Sequence, residues 1–352
     1  MRWLYRFNVA RELESGSKRC ADGIGHAKRC LAIAAAFKQN CNGEQLFLIE
    51  SSKGAFGKYF DQFDVPFLIN ENEELVLNDF QPTVILTDIN YLESKRICWY
   101  QGWAPVINLA PRGITKYFTD ITINDTSTID VTLPLNHKKR HWYRGPQYAA
   151  IGEQFAEIRE RIDRSGCCKP EKTIVLMMGG VDNINMTEFV LKDIKHGTES
   201  DIIINVIVGP FNKHLERLEN LCLQMGRNVN MFVNPPDITE IISNSSLGIF
   251  STGLTTYEAL AIGVPSINIG VTSFHDLRGE ELQKMGLIQY LGRYDQLKEG
   301  SILKAVTDLL NNNVSLEEMR KKGLMAIDGN GCKRIINIIE RFLNIDCTKG
   351  SV

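Results

Sequence analysis

Two α/β domains, each a parallel sheet wound with helices, are what this sequence predicts, and three observations predict them. Short apolar runs alternate with longer segments of helical pattern. The alternation restarts after a polar stretch with glycine and proline, Arg164-Ser165-Gly166-Cys167-Cys168-Lys169-Pro170-Glu171. Each half also opens alike, with a strand, a glycine-bearing turn and a helix. Strands alternating with helices pair in parallel, because parallel neighbours need a crossover between them. At 352 residues the chain has length for two domains of roughly 100–200 residues.

Trp3–Phe7 reads as a first strand, followed by a long polar loop over Val9–Ala21. Gly23-Ile24-Gly25-His26-Ala27-Lys28-Arg29 then leads into Cys30-Leu31-Ala32-Ile33-Ala34-Ala35-Ala36-Phe37, whose alanines and leucine favour a helix from His26 to Lys38. Gln45–Glu50 is an apolar strand, Lys53–Phe63 a helix, Val65–Ile69 a short strand and Glu71–Asp79 a short acidic helix. Thr83–Asp88 is a buried strand with a carboxylate at its carboxyl end. Val106–Leu109 and Ile121–Asn124 are further strands, and Glu153–Asp163 a charged helix.

After the polar stretch, Thr173–Met178 is a strand, Gly179-Gly180-Val181-Asp182-Asn183 a turn and Asn185–Lys195 a helix. Ile202–Val208 and Val229–Val233 are strands around a helix over Asn212–Met225. Asp237 suits the N-cap of a helix ending at Ser243. Leu247–Phe250 is a strand, Ser251-Thr252-Gly253-Leu254-Thr255-Thr256 opens a helix through Ala261, and Pro265–Ile269 is a strand. Helices are expected over most of Asp276–Leu343. Two such units with a short linker predict a cleft between them. Ligands of open α/β sheets sit beyond the carboxyl ends of the strands, where these glycine-bearing turns fall.

Composition excludes several classes. A net charge of −2 offers no general face for nucleic acid. The nine cysteines include no C-x-x-C pair, so neither a zinc site nor a disulfide framework is indicated, and reduced thiols in a cytoplasmic protein are expected. No apolar stretch approaches the ~20 residues that span a bilayer. The start, with Arg2, Arg6, Arg11 and Glu12, does not read as a signal peptide.

Glycines let a backbone turn tightly and approach a ligand, and a helix start offers free N–H groups and positive dipole charge to phosphate. Gly23–Arg29 has those features, with His26 in the first turn. It lacks the third glycine of G-x-G-x-x-G and the G-K-[ST] ending of a P-loop, so neither a dinucleotide site nor an ATPase follows. Gly179, Gly180 and Asp182 form a second turn able to cradle a diphosphate. Ser251, Thr252, Gly253, Leu254 and Thr255 offer hydroxyls and amides at a helix start, and Glu258, one turn on, could accept from both ribose hydroxyls. Asp88, Asn90 and Tyr91 stand where a strand ends and could line a sugar pocket. Against each stands a plain structural reading: a tight turn, a solvated glutamate, a capping aspartate. His137-Lys138-Lys139-Arg140-His141 reads as a solvated loop without further metal ligands. His275-Asp276 reads as a helix start with Asp as cap, and Cys167-Cys168 as incidental. No G-x-S-x-G elbow supports a serine hydrolase.

Six stretches in order resemble one family. Gly23-Ile24-Gly25-His26-Ala27-Lys28-Arg29-Cys30-Leu31-Ala32 is similar to G-x-G-H-x-x-R-C-L-A. Asp88-Ile89-Asn90-Tyr91 is similar to a D-x-Y region, one residue longer. Gly145-Pro146-Gln147-Tyr148-Ala149 with Glu153-Gln154-Phe155 resembles G-P-x-Y-A…E-F, and Gly179-Gly180-Val181-Asp182 resembles G-G-x-D. Thr252–Glu258 with Gly263-Val264-Pro265 resembles G-S-T-x-W-E…G-x-P. Asp328-Gly329-Asn330-Gly331-Cys332-Lys333-Arg334-Ile335 matches D-G-x-G-x-x-R-I. The family is that of the hydrolase acting on UDP-2,4-diacetamido-2,4,6-trideoxy-β-L-altropyranose in pseudaminic acid biosynthesis, with spore-coat polysaccharide proteins among its relatives. The chain departs from it in a longer stretch before Gly23, in Asn108-Leu109-Ala110 where the family has paired aspartates, and in Gly152 where it has arginine.

The resemblance implies a GT-B fold of two Rossmann-like domains facing across a cleft, residues 1–168 on the sugar side and 169–352 on the nucleotide side, with the last helix crossing back. It implies release of UDP from a UDP-sugar by C–O cleavage with inversion, without metal or other cofactor. His26 would act on the water, and Gly23, Gly25, Arg29, Asp88, Tyr91 and Tyr148 would surround the sugar. Gly179, Gly180, Asp182, Ser251, Thr252, Gly253, Leu254, Thr255 and Glu258 would hold the nucleotide. The expected partner is the UDP-sugar alone, with no nucleic acid or membrane, and a monomer or weak dimer is expected. The alternatives are a GT-B glycosyltransferase and a non-catalytic nucleotide-sugar-binding subunit.

Overall fold

The computed structural model describes residues 1–9, 24–51, 56–89, 92–109, 119–127, 141–165, 172–195 and 202–349. In chain order it runs β1 (Arg2–Val9), α1 (Gly25–Asn40), β2 (Glu44–Ser51), α2 (Phe56–Phe60), β3 (Phe67–Ile69), α3 (Glu73–Phe80), β4 (Val84–Asp88), α4 (Ser94–Gln101), β5 (Val106–Leu109), β6 (Ile121–Asn124) and β7 (His141–Arg144). Then come α5 (Gln154–Ser165), β8 (Thr173–Met177), α6 (Met186–Lys195), β9 (Ile203–Val208), α7 (Leu215–Met225), β10 (Val229–Val233) and α8 (Thr239–Ser243). The rest is β11 (Leu247–Ser251), α9 (Leu254–Ala261), β12 (Ser266–Gly270), α10 (Ser273–Lys284), β13 (Gln289–Arg293), α11 (Ser301–Leu310), α12 (Asn313–Ala326) and α13 (Gly331–Lys349).

The chain divides into two compact units, 1–152 with 330–352, and 153–329. The first holds a seven-stranded sheet in the order β3-β2-β1-β4-β5-β6-β7 and the second a six-stranded sheet in the order β10-β9-β8-β11-β12-β13. Every strand pair in both is parallel. In each sheet the order reverses beside the unit's first strand, the switch point where α/β folds bind ligands.

The first core follows from the alternation of β1. Trp3, Tyr5 and Phe7 point to one face and join an aromatic cluster with Phe37, Phe47 and Phe60, including Trp3–Phe37 centroids 4.4 Å apart. Leu4 points to the other, against Leu48, Val76, Ile85 and Tyr100. Each fully buried side chain of this size contributes about 1.5–3 kcal/mol. The second core gathers Ile174, Leu176, Val206, Ile249 and Ile267 from the strands with Val190, Leu218 and Val306 from the helices.

Two of the family-like stretches turn out to be joints. Gly331 abuts Ala149, whose carbonyl oxygen would lie 2.0 Å from a Cβ added there. Arg334 Nη1 also donates to the carbonyl of Gln147, at 3.1 Å. The D-G-N-G-C-K-R segment thus locks α13 onto the G-P-Q-Y-A turn, while α13 packs along α1. In the second unit, Arg159 of α5 donates to the carbonyls of Ala261, Leu324 and Ile327, satisfying the ends of α9 and α12.

Several elements differ from expectation. α4 fills a stretch where no element is expected; only Ile97 and Tyr100 of its eight residues are buried, so its apolar stripe is thin. His141 opens the edge strand β7, not a loop, and its ring meets Phe342 edge-on at 5.7 Å. β13 occupies a span expected to be helical, because its residues are half-buried at a sheet edge. α8 starts after Ile238, although Asp237 does accept from the Thr239 amide at 2.8 Å. α10 is capped by Thr272, not Asp276, whose carboxylate instead accepts from Tyr290 Oη at 2.6 Å. The stretch of the expected boundary at residue 168 lies outside the described residues. Among the described residues, no helix is long and apolar enough to cross a membrane, and Cys30, Cys41, Cys98, Cys222 and Cys332 are not joined in disulfides.

Candidate functional site

The first unit concentrates polar side chains where β1 and β4 end. Asp88 closes β4 beside Phe7 of β1. Alternation turns Asp88 to the α1 face and Thr87 to the opposite one. His26 and Arg29, three residues apart, share one side of the first turns of α1, and both reach Asp88. His26 Nδ1 lies 2.6 Å from Asp88 Oδ1. Arg29 forks onto the carboxylate, Nε to Oδ2 at 2.8 Å and Nη2 to Oδ1 at 2.9 Å. Asp88 is fully buried, and His26 and Arg29 are 2% and 6% exposed.

This geometry assigns the protons. Burial raises the Asp88 carboxyl, but the Arg29 charge and the hydrogen bonds that His26 and Arg29 give it outweigh this and hold the group well below the usual carboxylate range. Burial lowers the Arg29 guanidinium, and Asp88 more than reverses that. An ionised carboxylate 2.6 Å from Nδ1 needs a proton between them, so Nδ1 carries it. Arg29 Nη2 also approaches Nδ1 to 3.1 Å; both nitrogens then bear hydrogens, and this is a contact, not a hydrogen bond. The assigned tautomer of the neutral ring has its lone pair on Nε2.

The other residues expected around a sugar divide as follows. Gly25 opens α1, and a Cβ added there meets nothing within 4 Å among the described residues. Tyr148 ends a short 3-10 turn, edge-on to Tyr143 at 5.9 Å, and lines a small cavity with Arg29 and Asp125. Gly23, Asn90, Tyr91, His137, Cys167 and Cys168 lie outside the described residues. Asp88 has its carboxylate committed to His26 and Arg29, so it supports the histidine instead of presenting an open surface.

The opposite sheet face holds a polar feature that sequence reasoning missed. Arg6, Thr87, Asn108 and Thr122 are successive cross-strand neighbours on β1, β4, β5 and β6, all at most 4% exposed. Arg6 Nε donates to Glu73 at 2.5 Å, Nη2 to Glu50 at 2.6 Å and Nη1 to Asn8 at 2.7 Å. Glu73 also accepts from Arg96 and from Tyr100 Oη. Burial raises the Glu73 carboxyl, and Arg6 then brings it below the ordinary range. This network walls a cleft of 640 Å³ with Asn70, Glu71 and Glu93 on its rim. An arginine inside an apolar strand was the available signal.

In the second unit, the turns after β8 and β11 lie side by side. A Cβ on Gly179 (φ +87°) would be 3.8 Å from Ser251 Oγ, and one on Gly253 would be 3.7 Å from the same atom. Gly253 caps α9 without a side-chain hydrogen bond, and its own N–H goes to the Ser251 carbonyl at 2.6 Å. The amides that open α9, Leu254 and Thr255, have no acceptor within the helix. Thr252, Thr255 and Glu258 are buried. Thr256, Asn268 and Ser266 form a hydrogen-bonded chain beneath the turn. Asp182 has a structural task, accepting from the Met186 and Thr187 amides at 2.7 and 3.0 Å to cap α6.

No family model matches the chain. It is 23% identical over 307 residues to the uncharacterized protein MJ1062 of Methanocaldococcus jannaschii, covering 82% of this chain and spanning 60% of that protein's length. It is 21% identical over 336 residues to the spore coat polysaccharide biosynthesis protein SpsG of Bacillus subtilis, covering 90% of this chain and 94% of SpsG. Among solved structures, MurG of Acinetobacter baumannii aligns over 97% of this chain and all of its own, with TM-score 0.62 and 13% identity. UGT2 of Phytolacca americana, solved with UDP-2fluoro-glucose and pterostilbene, aligns over 97% and 99% with TM-score 0.62 and 10% identity. The UDP-GlcNAc 2-epimerase of Neisseria meningitidis, bound to UDP-GlcNAc, aligns over 97% and 100% with TM-score 0.58 and 13% identity. The fold is therefore the two-sheet α/β fold of the GT-B class, shared by glycosyltransferases and epimerases.

Proposed function

We propose that this chain is a nucleotide-sugar hydrolase, releasing UDP from a UDP-linked diacetamido deoxy sugar by C–O cleavage with inversion. The observation that carries it is the buried His26–Asp88–Arg29 arrangement at the start of α1. With Nδ1–H given to Asp88, His26 is set to take a proton at Nε2. Water attacks the anomeric carbon, its proton passes to His26, and the C–O bond breaks with its electrons going to the diphosphate. Such general-base assistance is typically worth ~10²–10⁴-fold. The Leu254 and Thr255 amides stabilise the departing charge, Gly179 and Gly180 leave room for the diphosphate, and Glu258 holds the ribose. In this reading residues 1–168 serve the sugar and 169–352 the nucleotide. The sugar chemistry is that of nonulosonic acid and surface polysaccharide synthesis.

One observation favours a second reading, a glycosyltransferase. The cleft walled by Arg6, Glu73 and Arg96 has room for an acceptor, and several proteins with this fold are transferases by name. Incubation with a panel of UDP-, CMP- and GDP-linked amino sugars, without acceptor, separates the two. UDP release at catalytic rates supports the hydrolase; release only with an added acceptor supports the transferase. Binding without turnover leaves a binding subunit. In labelled water the heavy oxygen is expected in the sugar, and its appearance in UDP would exclude C–O cleavage.

A further inference from the structure

A buried cation lies beneath the turn that opens α9. Arg278 of α10 is 2% exposed. Its guanidinium stands over the Phe274 ring at 4.5 Å and the Tyr257 ring at 5.2 Å, and Nη1 donates to the Thr252 carbonyl at 3.3 Å. Arginine is rarely so buried without a task. Its position is fixed by close packing. The Tyr290 ring fills space left by two glycines, since a Cβ on Gly279 would be 2.4 Å from the ring and one on Gly270 would be 2.3 Å from Oη. That contact seats α10 against β12 and β13, with Tyr290 Oη bonded to Asp276.

We propose that Arg278 is the positioning residue of the diphosphate-binding turn; this rests on the nucleotide reading above. Thr252 stands two residues before α9. With its carbonyl held by Arg278 and the Gly253 N–H turned to Ser251, the turn has one setting, and the Leu254 and Thr255 amides are left to open the helix. The guanidinium also places a positive charge in a low-dielectric site under a helix N-terminus, where its attraction for a diphosphate is greater than in water. The ligand class is the diphosphate itself, not the base or the sugar.

The test is a titration of UDP and of uridine into the wild type, R278M and R278K, with thermal melting alongside. R278M is expected to weaken UDP by about 10- to 100-fold, as loss of one nearby charge implies, while uridine changes by less than about threefold, the scatter of context effects on a retained contact. R278K keeps the charge without the planar fork and is expected to fall between. If R278M fails to fold, R278K decides, with a smaller loss confined to UDP. Equal loss of UDP and uridine, or unchanged UDP affinity, overturns the proposal. A wild type that binds neither UDP nor any other nucleoside diphosphate overturns the nucleotide reading and this proposal with it.

Discussion

His26 and Asp88 are 62 positions apart in sequence and 2.6 Å apart in space, with the aspartate closed off from solvent and forked by Arg29. A histidine so held has one ring nitrogen assigned, and on the hydrolase reading the other takes the proton of the attacking water. Replacing His26 by Ala is expected to cut turnover of the UDP-sugar by about 10²–10⁴-fold while UDP affinity stays within a few-fold. Steady-state rates beside calorimetric UDP binding check this, and retained turnover removes the histidine from the reaction.

Asp88→Asn keeps the shape but removes the charge that fixes the tautomer. Turnover is expected to fall by about 10²-fold or more. Stability is expected to fall by about 3–5 kcal/mol, because Arg29 is left buried without its carboxylate. The pH dependence has a definite sign. The carboxyl is held low in the folded chain, so its contribution is whole above about pH 4, the ordinary carboxylate value, and is lost as pH falls below it. Urea midpoints from pH 6 down to pH 3 should drop for the wild type and drop less for the variant.

The fold was legible because parallel α/β sheets write themselves as apolar runs between helical patterns. What escaped lies where that writing is faint. β7 and β13 are edge strands with no fully buried position, and α4 buries two residues in eight. At the site, Arg29 could be placed beside His26 from spacing alone, since i and i+3 share a helix face. Asp88 could be placed at a strand end. Their meeting could not be read, because it depends on which strand lies beside β1. Arg6 was visible only as a charge in an apolar strand, and Arg278 looked like any basic residue on a helix.

Arg6 bridges Glu73 and Glu50 at 4% exposure, so its removal takes a buried cation from both carboxylates and leaves Glu73 with Arg96 and Tyr100. R6M is expected to cost about 1–3 kcal/mol, the loss of its charged hydrogen bonds. A double variant, R6M with E73L, should recover part of that, since the two sites are in contact and do not add. Denaturant unfolding of the three chains measures it. Additive losses would show that the pair contributes no coupling to the fold.

Gly209 is a packing glycine beside Gly180 of the proposed nucleotide turn. A Cβ there would lie 2.4 Å from the Gly180 Cα, which is backbone and cannot rotate away. G209A is expected to destabilise by about 1–3 kcal/mol and, on the nucleotide reading, to weaken UDP by displacing the turn after β8. Melting and UDP titration of G209A separate the two effects. Destabilisation with unchanged UDP affinity would mean that Gly180 does not contact the diphosphate.

Gly25 is the opposite case. Among the described residues a Cβ there meets nothing within 4 Å beyond its chain neighbours and its own helix backbone, and its φ lies outside the left-handed region, so neither their packing nor backbone geometry demands glycine. Alanine is the better helix former by up to about 1 kcal/mol. If the residue is glycine to let a sugar come close to His26, then G25A should melt at the same temperature as the wild type or higher, yet turn over its substrate at least about tenfold more slowly, the cost of roughly 1.4 kcal/mol in the transition state. A structural glycine would give the reverse, lower stability with activity in proportion to folded protein. Equal stability with equal turnover would take Gly25 out of the site and leave His26 approached from another side.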